Sequence, residues 1–101
     1  MKRHPIIGIE DGEEVLYLPQ AQLTQSIRDG LMINAWAVYL SIASACGDNK
    51  SYSTRIKNKE IAKKSNLSEF STKRALADLE KYNHIERSYS GHIREIKLLD
   101  Y

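Results

Sequence analysis

Cysteine is nearly absent. Cys46 is the single thiol in 101 residues, so no internal disulfide can form. It lies in an apolar run, where a small buried hydrophobe is its plain reading. Proline occurs twice and glycine five times, which excludes collagen-like and linker-rich chains. Aromatic residues make up 8% and form no platform for stacked single-stranded bases, which counts against RNA. No apolar run approaches the ~20 residues of a membrane helix. The basic start, Lys2 and Arg3, lacks the apolar stretch of a signal peptide, so the expected compartment is the cytoplasm. His4, His84 and His92 stand at no metal-ligand spacing with one another or with Cys46. There is no phosphate-cradling glycine loop and no Ser, His and Asp set, and so small a domain has little room for a deep pocket. The expectation is a protein with no catalytic residues, no metal, no cofactor and no small-molecule ligand.

Large net charge is missing too, at +2, but its distribution is uneven. Residues 1–46 carry three basic and five acidic groups, while residues 47–101 carry twelve and eight. Between Arg55 and Arg74 the count is seven basic against two acidic. A positive surface on the C-terminal half is expected, with a solvated lysine-rich surface as the plain alternative. Hydrophobic residues at 42% and charged residues at 28% fit one small soluble domain with a thin core.

The elements follow from local chemistry. Residues 6–18 predict a β-hairpin, since Asp11-Gly12 between apolar runs is a strong turn signal. Pro19 ends it. A short helix is predicted over 20–29, closed by Gly30, with Leu23 and Ile27 at i, i+4 spacing. Asn34 is read as the cap of a central helix over 35–46 that is apolar nearly all round and stops at Gly47-Asp48-Asn49. Lys50 to Thr54 reads as a loop, with a short strand over 53–56. Asn58 is read as the cap of a helix over 59–65 with Ile61 and Ala62 inward, and Ser68 as the cap of a helix reaching about Tyr82. On that helix Thr72, Ala75, Leu76 and Leu79 share one stripe, with Phe70, Lys73, Arg74, Ala77 and Lys81 opposite. Strands over 85–89 and 93–99, joined by Ser90-Gly91-His92, close the chain. Ile96 and Leu98 point one way and Ile93 and Leu99 the other, so a bulge or two-sided coverage is expected. Tyr17, Tyr39 and Tyr82 are read as core residues with hydroxyls at the surface, Tyr52 and Tyr101 as exposed.

The run Lys59-Glu60-Ile61-Ala62-Lys63-Lys64-Ser65-Asn66-Leu67-Ser68-Glu69-Phe70-Ser71-Thr72-Lys73-Arg74, continuing to Leu79, resembles the helix-turn-helix of winged-helix DNA-binding domains. Ala62 matches the small residue at the helix crossing. Asn66 stands where glycine is usual, and so does Asn83 ahead of the strands. The resemblance covers about residues 31–99 and looks closest to the winged helices of plasmid and phage replication initiators and related small regulators. Leu18-Pro19, the segment 35–39 and Asn58-Lys59-Glu60-Ile61-Ala62 carry that narrower likeness. It implies an α+β winged helix-turn-helix, a three-helix core plus a C-terminal β-hairpin wing, with residues 1–19 as an N-terminal hairpin extension of one domain. It implies binding of double-stranded DNA in a sequence-specific way, as a transcriptional regulator or an origin-binding protein. A recognition helix over 69–82 would enter the major groove and a wing over 85–99 would meet backbone or minor groove.

The residues expected to touch DNA are Lys57, Lys59, Lys63 and Lys64 on phosphate, Ser68, Glu69, Phe70, Ser71, Lys73 and Arg74 on the recognition helix, and Arg87, Ser90, His92 and Arg94 on the wing. Each has a plainer reading. Phe70 could be a helix-start staple in the core, Lys63 and Lys64 a solvated face, and Arg87 and Arg94 cross-strand partners of Glu86 and Glu95. A winged helix can also serve as a protein-interaction module without DNA. A homodimer is a further expectation, with the N-terminal hairpin either self-associating or covering the core beside Trp36.

Overall fold

The computed structural model describes residues 6–48 and 52–99, and side chains over 8–47 and 52–99. The expectations for Lys2, Arg3, Asn49, Lys50 and Tyr101 lie outside what is described, as do the side chains of Ile6 and Ile7. The chain is α+β. Two antiparallel strands come first, then four helices with a two-residue strand between the second and third, then two final strands.

Strands β1 (Ile6–Glu10) and β2 (Glu13–Tyr17) pair in unbroken register. Asp11 and Gly12 both take positive φ, 51° and 80°, as a two-residue hairpin turn of this twist requires. One face of the hairpin lies on the central helix, with Leu16 packed against the core. Tyr17 is on the other face and exposed, contrary to the expected core role. Its ring lies over Gly8, where a Cβ would come within 2.7 Å of it, and its hydroxyl donates to Glu10.

Helix α1 (Gln20–Arg28) ends as expected, with Gly30 at φ 79° and the Leu31 amide returning to the Ser26 carbonyl at 2.9 Å. Its buried stripe is the reverse of the apolar one. Gln22 and Ser26 are buried, while Leu23 and Ile27 face solvent. The reason is chemical. The Gln22 carboxamide meets His84 Nδ1 at 3.1 Å, and the Ser26 hydroxyl donates to the Leu23 carbonyl at 2.7 Å.

Helix α2 (Ile33–Asp48) is the centre of the molecule. Val38, Tyr39 and Ile42 are wholly buried, and the helix packs against the N-terminal hairpin and three later elements. It begins one residue before Asn34, which lies exposed in the first turn and is not the cap. It also runs through Gly47 to Asp48. Trp36 meets the rings of Tyr39 and His84 edge-on, each with centroids 5.2 Å apart.

Strand β3 (Ser53–Thr54) is shorter than expected, and just beyond it the Ile56 amide donates to the Thr54 hydroxyl at 3.3 Å in place of a strand partner. Helix α3 (Asn58–Ser65) starts without a side-chain cap at Lys57, so Asn58 is not the cap; its side chain is engaged elsewhere. Ile61 and Ala62 are buried as expected. Asn66 takes φ 55°, and the Leu67 amide bonds to the Ala62 carbonyl at 3.0 Å, which makes the tight turn. Helix α4 (Glu69–Lys81) is capped by Ser68, whose Oγ accepts the Ser71 amide at 3.0 Å. Thr72, Ala75, Leu76 and Leu79 form its buried stripe as expected. Asn83 at φ 64° and the His84 amide on the Leu79 carbonyl, 2.8 Å, close it.

Strands β4 (Ile85–Ser90) and β5 (Ile93–Leu98) form a hairpin with β3 on the far edge of β5. Ser90 stays in register opposite Ile93, so the link is only Gly91 and His92, with Gly91 at φ 63°. The register carries no bulge, so that arm of the expectation fails, and on the second face Leu99 is half-buried while Ile93 is exposed. Ile85, Ile96 and Leu98 face the core, and Ile93 is left half-exposed at the tip. Among the described residues no helix is long and apolar enough to cross a membrane.

Candidate nucleic-acid interface

Burying Thr72, Ala75, Leu76 and Leu79 fixes what α4 shows to solvent. Residues half a turn away from that stripe are Phe70, Arg74, Ala77 and Lys81, all exposed. Phe70 is 70% exposed, so it is no core staple. The Arg74 guanidinium lies 5.9 Å from the Phe70 ring centroid, and Lys81 Nζ lies 5.2 Å from that of Tyr82. Ala77 is a gap in the ridge between two cations. Glu69 and Lys73 are exposed beside it. Ser71 is half-buried and accepts from the Ser68 hydroxyl at 3.1 Å, so these two serines are partly committed to the cap.

The C-terminal hairpin is held against the helices by two arginines. Arg87 donates to Glu80 from its amide (3.2 Å), Nε (3.3 Å) and Nη2 (2.9 Å). These donors hold the Glu80 carboxyl below its usual range. Arg94 donates to Asn58 Oδ1 and, at 2.6 Å, to the Ile56 carbonyl, and its partial burial lowers its pKa. Neither arginine forms the expected cross-strand pair with Glu86 or Glu95; Glu95 meets Arg55 instead, at 3.7 Å. Arg87 pairs across from Ile96, and Tyr89 across from Arg94, so all four share the inner face of the hairpin. Beneath its tip is an open groove lined by Arg55, Lys57, Tyr89, His92 and Arg94. Ser90 is exposed at the tip itself.

Lys59 and Lys63 are exposed on α3. Lys64 is placed differently. It lines a groove with Glu14, Leu40, Ser41 and Ser44, on the side of the N-terminal hairpin and without any α4 residue. The structure therefore brings together Phe70, Arg74 and Lys73 on one helix and Lys57, His92 and Arg94 around one groove, and leaves Lys64 apart. Sequence reasoning missed Arg55 as a groove residue, whereas Tyr89 fell within the stretch read as the wing. The sequence offered a signal for Tyr89, since a Gly-centred turn at 91 sets it opposite Arg94.

Inside, Gln22, Tyr39 and His84 form a polar cluster beside Trp36 that no motif announced. Burial raises the Tyr39 hydroxyl above its usual range, and the side chain of Gln22 partly opposes this. Burial lowers His84, with the Asp29 carboxylate opposing. Cys46 is buried and pushed up to about 11, which leaves a protonated, unreactive thiol at neutral pH. Among the described residues no group of His, Cys, Asp and Glu could hold a metal ion.

Comparison of the chain with family models, curated proteins and solved structures finds no match.

Proposed function

We propose that this protein is a winged helix-turn-helix that binds double-stranded DNA sequence-specifically, as a small regulator or origin-binding protein. α3 and α4 are the helix-turn-helix, α4 is the helix that enters the major groove, and β4 with β5 is the wing. The observation that carries this reading is the solvent ridge of α4. An aromatic ring, a guanidinium, a methyl gap and an ammonium follow one another on the side opposite the buried stripe. An α-helix fits the major groove, where arginine and apolar groups read base edges. The surrounding cations supply affinity by displacing counterions. Lys57 and Arg55 in the groove under the wing, and Lys59 and Lys63 on α3, meet phosphate. Arg87 and Arg94 position the wing, through Glu80 in one case and through Asn58 and the Ile56 carbonyl in the other.

Selection from a random duplex library with the full chain tests the proposal. Enrichment of one short motif is expected, and its symmetry reports whether two copies bind together. A pool without enrichment over unselected sequence contradicts sequence-specific binding.

A second reading, a protein-docking module, is favoured by one observation. Leu23, Ile27, Met32 and Ile33, close together in the chain, are exposed large hydrophobics, three of them by two-thirds or more. The same residues offer a homodimer surface in addition to the strand edge of the N-terminal hairpin, one face of which lies on α2.

A further inference from the structure

Phe70 is a large apolar side chain on the outermost line of α4, and nothing in the fold asks for it there. The core is closed by the opposite stripe, and the ring is 70% exposed. Arg74, one turn further along, holds its guanidinium 5.9 Å from the ring centroid. A cation beside the face of the ring restrains both side chains. The pair therefore presents a preorganised apolar surface next to a planar fork of donors.

The major groove holds a matching pair. The C5-methyl of thymine is the groove's apolar feature, and guanine offers N7 and O6 to a bidentate arginine. Successive bases on a strand are ~3.4 Å apart along the axis. Groups on neighbouring bases, offset sideways as well, suit partners about 6 Å apart better than groups two or three bases away. Ala77, the next residue on the ridge, is small enough to let this end of the helix approach.

We propose that Phe70 and Arg74 together read a pyrimidine C5-methyl followed by guanine, the ring packing on the methyl and the guanidinium pairing with the guanine. This rests on the DNA-binding reading above. The shared chemistry is a methylated pyrimidine, which thymine and 5-methylcytosine both supply.

The test uses the full chain and the site enriched by selection from random duplexes. Thymines preceding guanine are replaced singly by deoxyuridine, which removes only the methyl. At the same position, duplexes with cytosine and with 5-methylcytosine are compared. Wild-type protein should bind the methylated member of a pair about fourfold more tightly, the equivalent of one buried methyl-sized group. Phe70→Ala should bind both members alike. Arg74→Ala should lose the preference for the adjacent guanine while still distinguishing methylated from unmethylated pyrimidine. Both side chains are exposed, and circular dichroism of the variants checks that the fold is kept. Thymine as the discriminated member assigns the pair to sequence reading; 5-methylcytosine assigns it to methylation state. An enriched site with no pyrimidine–guanine step, or equal binding of methylated and unmethylated duplexes, overturns the inference and leaves DNA binding standing. Failure to bind any duplex at low salt overturns both.

Discussion

Arg87 directs its amide, Nε and one terminal nitrogen at the carboxylate of Glu80, and so ties the end of α4 to the start of β4. The Glu80 side chain is 39% exposed, which weakens the pair by solvent screening. Glu80→Gln should therefore cost only about 1 kcal/mol in urea unfolding. The folded-state pKa of Glu80 is below its ordinary 4.5, so its stabilisation is complete above pH 4.5 and disappears as pH falls through the lower folded value. The gap between wild type and Glu80→Gln should close in that acid range; a gap independent of pH would mean that shape, not charge, is lost.

His84 obeys the same sign in a milder range. Its folded pKa is below 6.5 because burial penalises the cation, the Asp29 carboxylate opposing. The unfolded chain takes up the proton first. Stability should fall as pH drops below 6.5 toward the folded value, and His84→Gln should flatten that decline. Trp36 meets the His84 ring edge-on, so tryptophan fluorescence can follow unfolding in both proteins.

At the scale of elements, Ala62 is the small side chain expected where α3 and α4 cross. Ala62 is 5% exposed beside the turn through Asn66. Ala62→Leu should destabilise the fold by roughly 1–3 kcal/mol, seen as a lower urea midpoint with the slope unchanged. A midpoint equal to wild type would mean that the helices have room to spare.

These elements were the legible part of the chain. Ser68, Asn66 and the 72, 75, 76, 79 stripe each combine a local rule with a burial rule, and the two agree. The turns at Asp11-Gly12 and Gly91 were legible because positive φ selects few residues. α1 was misread because periodicity sees only apolarity. The partner that rewards burying Gln22, namely His84, is 62 residues away. Asn34 and Asn58 were misread as caps for a related reason. Asparagine suits a cap, but Asn58 is used by Arg94, 36 residues distant. Ridge residues of α4 were legible once its buried stripe was known. The groove under the hairpin was not, because it depends on β-register and on where β3 ends.

At the scale of the molecule, two sets of positive groups lie apart. Arg55, Lys57 and Arg94 surround the groove under the hairpin tip, whereas Lys64 stands with Glu14 near the N-terminal hairpin. If the first set faces phosphate, Lys57→Ala should make the salt dependence of duplex binding shallower by about one unit, and Lys64→Ala should leave it unchanged. The reverse result would put the nucleic acid on the hairpin side of α3.

The most direct measurement is the affinity of the full chain for duplex DNA across a series of salt concentrations. With about four phosphates met by Arg55, Lys57, Lys59 and Lys63, the logarithm of the binding constant should fall linearly with the logarithm of salt, with a slope near −3 or −4. Absence of binding to duplex at low salt, or binding indifferent to salt, would contradict a DNA-binding role for the ridge and the groove.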